Sequence, residues 1–181
     1  MTVALTWSVT LGGSAIGSTL DHGSKNNGQT TTAQEIFLRH DGANDITALS
    51  LYVRQFSGTY GGAFTAATDY TEIMGWGDAA TVAAFGGVQF NMDYINAYPA
   101  AQWPDVTTKT STYGFVARTD VADTESTGIT LSKNSYSASG TDGTIPVGTS
   151  ARFEMRVQIP SDEDTIGIRQ FDVAAVYTYT S

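Results

Sequence analysis

The sequence predicts an all-β protein, an antiparallel β-sandwich of about eight strands with long Gly/Ser/Thr loops and at most one or two short helices. Its clearest sign is residues 151–159, where five apolar residues alternate without a fault with four polar ones. Because successive side chains of a strand point to opposite faces, this pattern buries one face and leaves the other in water. The same alternation returns near both ends of the chain, and no long helical period occurs. Antiparallel sheets with one wet face usually pair as sandwiches or barrels.

Eight segments carry a strand pattern, and turn-forming residues separate them. The predicted strands cover residues 3–9, 33–40, 46–56, 87–92, 113–119, 128–131, 151–159 and 166–180. Between the second and third strands lies the turn 41–45, whose Asp, Gly and Asn residues tolerate the backbone angles of a tight connection. We therefore expect these two strands to form a hairpin.

The remaining segments are loops, apart from one short predicted helix. Asp69 and Glu72 have the spacing of a capping box, and Gly75 and Gly77 would end that helix after one or two turns. No internal repeat or composition shift divides the chain, so residues 1–181 are expected to form a single domain. An immunoglobulin-like sandwich and a jelly roll fit the periodicity equally well. The long loops cover residues 12–32, 57–68 and 132–148.

Composition excludes several classes of function. Nine Lys and Arg residues stand against 18 Asp and Glu residues, giving a net charge of −9. Nucleic acids and anionic membrane surfaces both demand a basic patch, and none is found, so neither is an expected partner. Cysteine is absent, which excludes disulfides, thiolate metal sites and cysteine nucleophiles. Since the N-terminus also lacks the features of a Sec signal peptide, we expect synthesis and folding in a reducing cytosol.

Residues for metal or acid–base chemistry are scarce. The two histidines, His22 and His40, each adjoin an Asp and a Gly, which is typical of turn residues whose rings form local hydrogen bonds. Without cysteine, a zinc site would need both histidines together with carboxylates. A Ser-His-Asp triad needs no fixed spacing, but the Gly-x-Ser-x-Gly pattern of a nucleophile elbow is absent. The sequence therefore predicts no enzyme activity and no cofactor.

Two kinds of carboxylate cluster are open to a functional interpretation. A sugar-cleaving or sugar-binding groove would combine paired carboxylates with aromatic rings, and the candidates are Asp69, Glu72, Asp78 and Asp93, near Trp76 and Trp103. Calcium would take oxygen ligands from a turn, and the candidates are Asp41, Asn44 and Asp45, or Asp162, Glu163 and Asp164. Ordinary loop aromatics and solvated turn charges explain both sets, and we favour that explanation.

Several segments resemble virion structural proteins of tailed bacteriophages. They are residues 33–42 (AQEIFLRHDG), 46–54 (ITALSLYVR), 69–78 (DYTEIMGWGD), 161–172 (SDEDTIGIRQFD) and 176–181 (VYTYTS). The resemblance implies a β-rich protein present in many copies on a capsid or tail, of the decoration or cement type. It implies no catalytic or ligand-binding residues.

The leading hypothesis is a non-enzymatic virion component that binds the major capsid protein, or another virion protein, and forms homo-oligomers. Buried aromatic and apolar anchors would supply its affinity, and the interface candidates are Val3, Leu5, Trp7, Trp76, Tyr98 and Trp103. The N-terminal strand either adds to a neighbour's sheet or is an ordinary first strand, and we favour the second. The runner-up is a carbohydrate- or receptor-binding module, and an enzyme of the glycoside hydrolase or lyase kind comes third.

Overall fold

The protein is built mostly from β-strands. The computed structural model describes residues 4–13, 15–16, 20–55, 87–103, 109–116, 128–159 and 171–180. No helix of seven residues or more occurs in these ranges. The 3₁₀ turns found there are Tyr94–Asn96, Ala100–Gln102 and Lys133–Ser135. The strands are β1 (Leu5–Ser8), β2 (Gln34–His40), β3 (Ile46–Gln55), β4 (Gly87–Asn91), β5 (Tyr113–Val116), β6 (Ile129–Thr130), β7 (Ser150–Gln158) and β8 (Phe171–Tyr179).

The strands form two antiparallel sheets, and the prediction of an all-β protein is confirmed. The five-stranded sheet has the order β1-β2-β7-β4-β5, and the three-stranded sheet has the order β6-β3-β8. Pairing is nested along the chain: β4 pairs with β5, β3 with β6, and β2 with β7. The pairs β4–β7 and β3–β8 join these units within their sheets.

The expected hairpin of the second and third strands is wrong. β2 pairs with β1 and β7, whereas β3 pairs with β6 and β8, so the two strands belong to different sheets. Leu38 of β2 and Leu51 of β3 are both fully buried in one hydrophobic cluster. The turn 41–45 therefore carries the chain from one sheet to the other, and both strands bury their apolar sides in a shared core instead of pairing side by side.

The core collects the inward side chains that the alternating pattern predicts. In β7, every second residue from Ala151 to Val157 is buried, and the intervening residues are half-buried. Phe90 and Phe153 pack edge to face at the centre, with ring centroids 5.9 Å apart. Strands of both sheets contribute to this one cluster, and burial of its aromatic and branched side chains is the main stabilising contribution to the fold.

An irregularity interrupts β3. The register shifts between Thr47 and Ser50, and Ala48 adopts a left-handed conformation with φ 51°. The loop after β6 fills the gap, because the Leu49 N–H donates to the Gly143 carbonyl at 2.8 Å. Gly143 has φ +76°, and a Cβ added there would lie 3.1 Å from the Ala48 Cα. Glycine is therefore required at this crossing.

Several predicted features lie outside the described residues. They include the short helix at Asp69 and Glu72 and the turn cluster Asp162, Glu163 and Asp164. Within the described part of the chain, no helix is long and apolar enough to span a bilayer.

Candidate binding site on the outer face of the five-stranded sheet

The outer face of the five-stranded sheet carries large polar and aromatic side chains. They come from β2, β4 and β7 and from the segment that follows β4. We call this surface the aromatic–arginine face; it consists of Glu35, Phe37, Gln89, Tyr94, Tyr98, Trp103, Arg152, Glu154, Arg156 and Gln158. Its position follows from the alternation in β7, since the residues between the buried ones must point away from the core.

Arg152 organises one half of this face. Its guanidinium carbon lies 3.9 Å from the centroid of the Tyr94 ring and 4.9 Å from that of Phe37. It forms an ion pair with Glu35 at 3.0 Å and donates a hydrogen bond to the Tyr94 hydroxyl. Phe37 is buried beneath it, with 3% of its surface exposed. Stacking on aromatic rings and pairing with a carboxylate together fix the guanidinium plane.

Arg156 organises the other half in the same way. Its guanidinium carbon lies 4.1 Å from the centroid of the Trp103 ring. Its Nε donates to Gln89 Oε1 at 2.6 Å, and the Gln89 amide nitrogen donates to Gln158 Oε1 at 3.1 Å. Gln89 is buried, so this hydrogen-bonded chain satisfies an amide that would otherwise be costly to remove from water.

A depression opens to solvent beside Arg152. It has a volume of about 590 Å³ and is lined by Glu35, Tyr94, Ile95, Ala97 and Tyr98. The Tyr94 and Tyr98 ring centroids are 5.8 Å apart, and the ring planes are tilted by 51°. The Tyr98 hydroxyl is buried and has no hydrogen-bond partner within the described residues. A concave aromatic surface with a few convergent polar groups is the usual form of a small-molecule site.

The backbone below the depression is held in a strained conformation. Ala97 and Tyr98 have φ 59° and 49°, which non-glycine residues rarely adopt. The Ala97 N–H donates to the Tyr94 carbonyl at 2.9 Å, and the Tyr98 N–H donates to the Asp93 carbonyl at 3.2 Å. These bonds hold the two residues in place and fix where the Tyr98 ring lies.

Asp93 anchors the segment that carries these aromatic residues. Its carboxylate is buried and accepts hydrogen bonds from the side-chain amides of Asn96 at 2.7 Å and Asn134 at 3.0 Å. It also accepts one from the Tyr113 hydroxyl, which contacts the Gln102 side chain as well. One carboxylate thus joins the end of β4 to β5 and to two 3₁₀ turns, and Tyr113 links it to the third. Among the proposed sugar-cleaving carboxylates, Asp93 is therefore a structural acceptor, and Asp69, Glu72 and Asp78 lie outside the described residues.

The charges on the aromatic–arginine face balance. Glu35 of β2 stands directly opposite Glu154 of β7, and Arg152 and Arg156 flank this carboxylate pair. Burial, and then the Glu35 charge, raise the pKa of Glu154. Burial, and then Glu35, also raise the pKa of Tyr98, so its hydroxyl keeps its proton and can donate at neutral pH.

The outer face of the three-stranded sheet has the opposite chemistry. We call it the neutral face; it consists of Thr47, Ser50, Tyr52, Thr130, Ala174, Val176 and Thr178. The hydroxyls of Thr47 and Thr178 hydrogen-bond across the strands at 2.8 Å. None of the residues of the neutral face is charged; at one end of the sheet, Arg54 of β3 stands opposite Asp172 of β8.

The structure separates the proposed interface residues. Leu5 and Trp7 are half-buried against the core, and the Trp7 ring packs edge to face on Phe153, with centroids 6.1 Å apart. Tyr98 and Trp103 instead belong to the aromatic–arginine face. Val3 and Trp76 lie outside the described residues. β1 pairs with β2 of its own chain, as expected for an ordinary first strand, and the interface role of these residues stays a prediction.

Of the two histidines, His40 forms the local hydrogen bonds that the sequence predicted, whereas the Nε2 of His22 is buried without a hydrogen-bond partner among the described residues. His40 is fully buried; its Nε2 contacts the Asn44 carbonyl at 2.7 Å, and its Nδ1 accepts from the Gly42 N–H at 3.1 Å. These contacts place a hydrogen on Nε2 and leave Nδ1 as an acceptor. His22 lies 3.5 Å from the Thr31 hydroxyl, and burial lowers its pKa.

Two side chains of the first turn proposed to bind calcium, Asp41 and Asn44, already form hydrogen bonds within the protein. Arg39 donates to Asp41, and the Asn44 amide donates to the Thr180 carbonyl. No group of three or more histidine or carboxylate side chains suited to a metal ion occurs within the described ranges.

Sequence reasoning missed Glu35, Tyr94, Arg152 and Arg156 as site residues. The alternation in residues 151–159 places both arginines on the wet face, so that part of the signal was present. Tyr94 follows β4 in a segment without any period, and its contact with Arg152 spans 58 positions. No protein-family model, curated protein or solved structure is similar enough to the chain to count as a match.

Proposed function

We propose that the two sheets form a β-sandwich with jelly-roll topology. In an eight-stranded jelly roll a long ribbon of nested strand pairs wraps around one core, so the strand numbers of each ribbon pair sum to nine. The pairs 2–7, 3–6 and 4–5 follow this rule, and the pairs 4–7 and 3–8 join them as the wrapped ribbon requires. An immunoglobulin-like sandwich instead places the second strand beside the fifth. The first strand departs from this topology: β1 pairs with β2, whereas the first strand of a jelly roll pairs with the eighth.

We further propose that the chain is a non-enzymatic virion structural protein, a capsid decoration protein on the outer surface of a phage head. Jelly rolls are found in viral capsid proteins and in lectins, so the topology agrees with the sequence resemblance as an analogy at the level of the fold. The expected partner is the major capsid protein or another virion protein, and the chain is expected to form homo-oligomers. Virions would then be its location after synthesis in the host cytoplasm.

The observation that carries this proposal is that β8 is an exposed edge strand within the described residues. Within the described residues it is the edge strand of its sheet, in the place where a jelly roll has its first strand beside the eighth. All nine of its residues are at least partly exposed, and Val176 is 40% exposed. A long, nearly uncharged edge strand is a template for pairing with another chain. The neutral face beside it has the low charge of an interface centre.

Occupancy of purified phage particles tests the proposal. We expect mass spectrometry to find the wild-type chain in many copies per particle, and Val176→Glu to reduce its copy number at least tenfold. Burying an unpaired carboxylate in an interface costs several kcal/mol, which is more than the roughly 1.4 kcal/mol that a tenfold loss requires.

Val147→Glu is the matched control. Val147 is 46% exposed but lies in the loop before β7 and belongs neither to β8 nor to the neutral face, so the same substitution should leave occupancy unchanged. Particles that lack the wild-type chain would refute the virion proposal. Equal occupancy of the two variants would refute β8 and the neutral face as the attachment surface.

A carbohydrate- or receptor-binding module is the second candidate function. The depression beside Arg152 favours it, because its aromatic rings and polar groups converge on one side of the sheet. Glycan binding by the isolated protein would support this candidate, whatever the result with particles.

A further inference from the structure

One edge of β8 has no partner strand among the described residues, and its backbone groups are directed toward that edge in a regular pattern. The Thr180 N–H, just past the end of β8, donates to the Asp45 carbonyl at 3.0 Å. Consecutive residues of an antiparallel strand direct their backbone groups to opposite sides, so the even-numbered residues of β8 bond to β3. The odd-numbered residues, from Phe171 to Tyr179, therefore direct their N–H and C=O groups toward the open edge.

The inward side chains beside this edge are incompletely covered. The residues of β8 that pack against the core and yet remain half-buried are Phe171, Val173, Ala175 and Tyr177. In the neighbouring β3, by contrast, the inward side chains of Leu49, Leu51 and Val53 are fully buried. The first strand of a jelly roll would cover the edge of β8, but β1 lies beside β2. One more strand beside β8 would therefore bury apolar surface that the chain leaves partly exposed.

We propose that this strand is β8 of a second copy, paired antiparallel about a two-fold axis at Ala175. In this register Ala175 faces its own copy, and Val173 faces Tyr177 of the second copy. Phe171 likewise faces Tyr179 of the second copy. Every odd-numbered residue then exchanges backbone hydrogen bonds across the interface, and the same patch is used on both copies, as two-fold symmetry requires.

The distribution of charge favours a second copy as the occupant. The chain carries a net charge of −9, so two copies repel each other unless they meet at an uncharged surface. β8 contains one charged residue, Asp172. In the proposed register Asp172 faces Thr178 of the second copy, and the two Asp172 residues lie about 20 Å apart. That separation exceeds the Debye length of about 8 Å at physiological salt, so the like charges are screened.

The inference deepens the proposed function, on which it rests for the use of the neutral face. Pairing at β8 joins the three-stranded sheets of two copies into one continuous sheet. The neutral faces of the two copies then form a single surface of twice the area. The homo-oligomer acquires a defined two-fold geometry, and the particle is offered a larger uncharged surface.

Single-cysteine variants of the purified full-length protein test the register, because the chain contains no cysteine of its own. Opposite residues of a hydrogen-bonded antiparallel pair have Cα atoms about 5.5 Å apart, within the roughly 4.4–6.8 Å that disulfides span. We therefore expect Ala175→Cys to form a disulfide-linked dimer under mild oxidation. Thr178→Cys is the matched control. Thr178 is more exposed than Ala175, but its two copies would lie about 20 Å apart, so this variant should not crosslink.

Sedimentation of the same protein gives a second measurement. We expect the wild type to form a dimer and Ala175→Pro to raise its dissociation constant at least about tenfold, since each copy loses one hydrogen bond across the interface. Proline is tolerated on an edge strand where its missing N–H faces outward, and circular dichroism checks that the variant keeps its fold.

The inference is overturned if the wild type sediments as a monomer at roughly 1 mM. It is also overturned if Ala175→Cys does not crosslink, or if Thr178→Cys crosslinks as readily. A monomeric protein that nevertheless occupies phage particles would refute this inference and leave the virion proposal standing. Dimers with the expected crosslink that are absent from particles would support the inference and refute the virion proposal.

Discussion

The two sheets share one core but present outer faces of opposite chemistry. The aromatic–arginine face fixes two guanidinium groups on aromatic rings and links buried amides into a hydrogen-bonded chain. The neutral face carries Thr, Ser, Ala and Val side chains around a single tyrosine, Tyr52. The first holds its charged and aromatic side chains in fixed positions, whereas the second offers uncharged side chains and a strand edge. Both sheets show the same alternation of inward and outward side chains. The difference between their outer faces therefore lies in which side chains point outward and in what packs over them.

The largest expected effect comes from Asp93, which supports the aromatic–arginine face and not the neutral face. Asp93→Ala leaves the side chains of Asn96, Asn134 and Tyr113 without their shared acceptor. We expect a loss of about 2–4 kcal/mol in the free energy of unfolding, measured by urea denaturation. The near-ultraviolet circular dichroism of the aromatic residues should change as well.

Asp142→Ala is the control for this substitution. Asp142 is exposed and accepts one backbone hydrogen bond, from the Lys133 N–H at 2.8 Å, so its loss should cost less than about 1 kcal/mol. Equal losses for the two variants would show that Asp93 does not anchor the aromatic–arginine face.

An intermediate effect is expected on the other sheet, at the crossing of Gly143 over the β3 bulge. Gly143→Ala forces an alanine into a φ of +76°, which is strained for a residue with a side chain. It also places a Cβ 3.1 Å from the Ala48 Cα. Gly148→Ala adds a similar φ of +75°, but nothing lies within 4 Å of its Cβ. We expect losses of about 2–3 kcal/mol and about 1 kcal/mol respectively in urea denaturation. The larger loss of stability for Gly143→Ala measures how tightly the loop after β6 packs on β3. Equal losses for the two variants would contradict that contact.

The smallest effect concerns the carboxylate pair of Glu35 and Glu154. Because burial raises the pKa of Glu154 above its ordinary 4.5, its charged form is less favourable in the folded than in the unfolded protein. Glu154→Gln should therefore stabilise the protein at pH 7, by less than about 1 kcal/mol because solvent screens this half-buried group. The gain should shrink as the pH falls through the raised pKa and vanish below 4.5, where Glu154 is protonated in both states.

Thermal unfolding at pH 7 and at pH 4 measures this difference. A loss of stability for Glu154→Gln at pH 7 would mean that the pair with Arg156 outweighs burial and the repulsion from Glu35.

The sequence by itself determined the strands, because a two-residue period is a local property. Residues 151–159 predicted β7 to within one residue at each end, and His40 was also correctly predicted to form local hydrogen bonds. The sequence also indicated that Arg152 and Arg156 point away from the core.

Only the tertiary structure decided which strands are neighbours and which side chains meet. The turn 41–45 looked like a hairpin connection, yet β2 and β3 joined different sheets because both bury their apolar sides in one core. The contact of Arg152 with Tyr94 joins residues 58 positions apart, and that of Asp93 with Asn134 joins residues 41 apart. Such contacts form only when long loops close around a packed core. A local sequence pattern does not show which side chains this closure brings together.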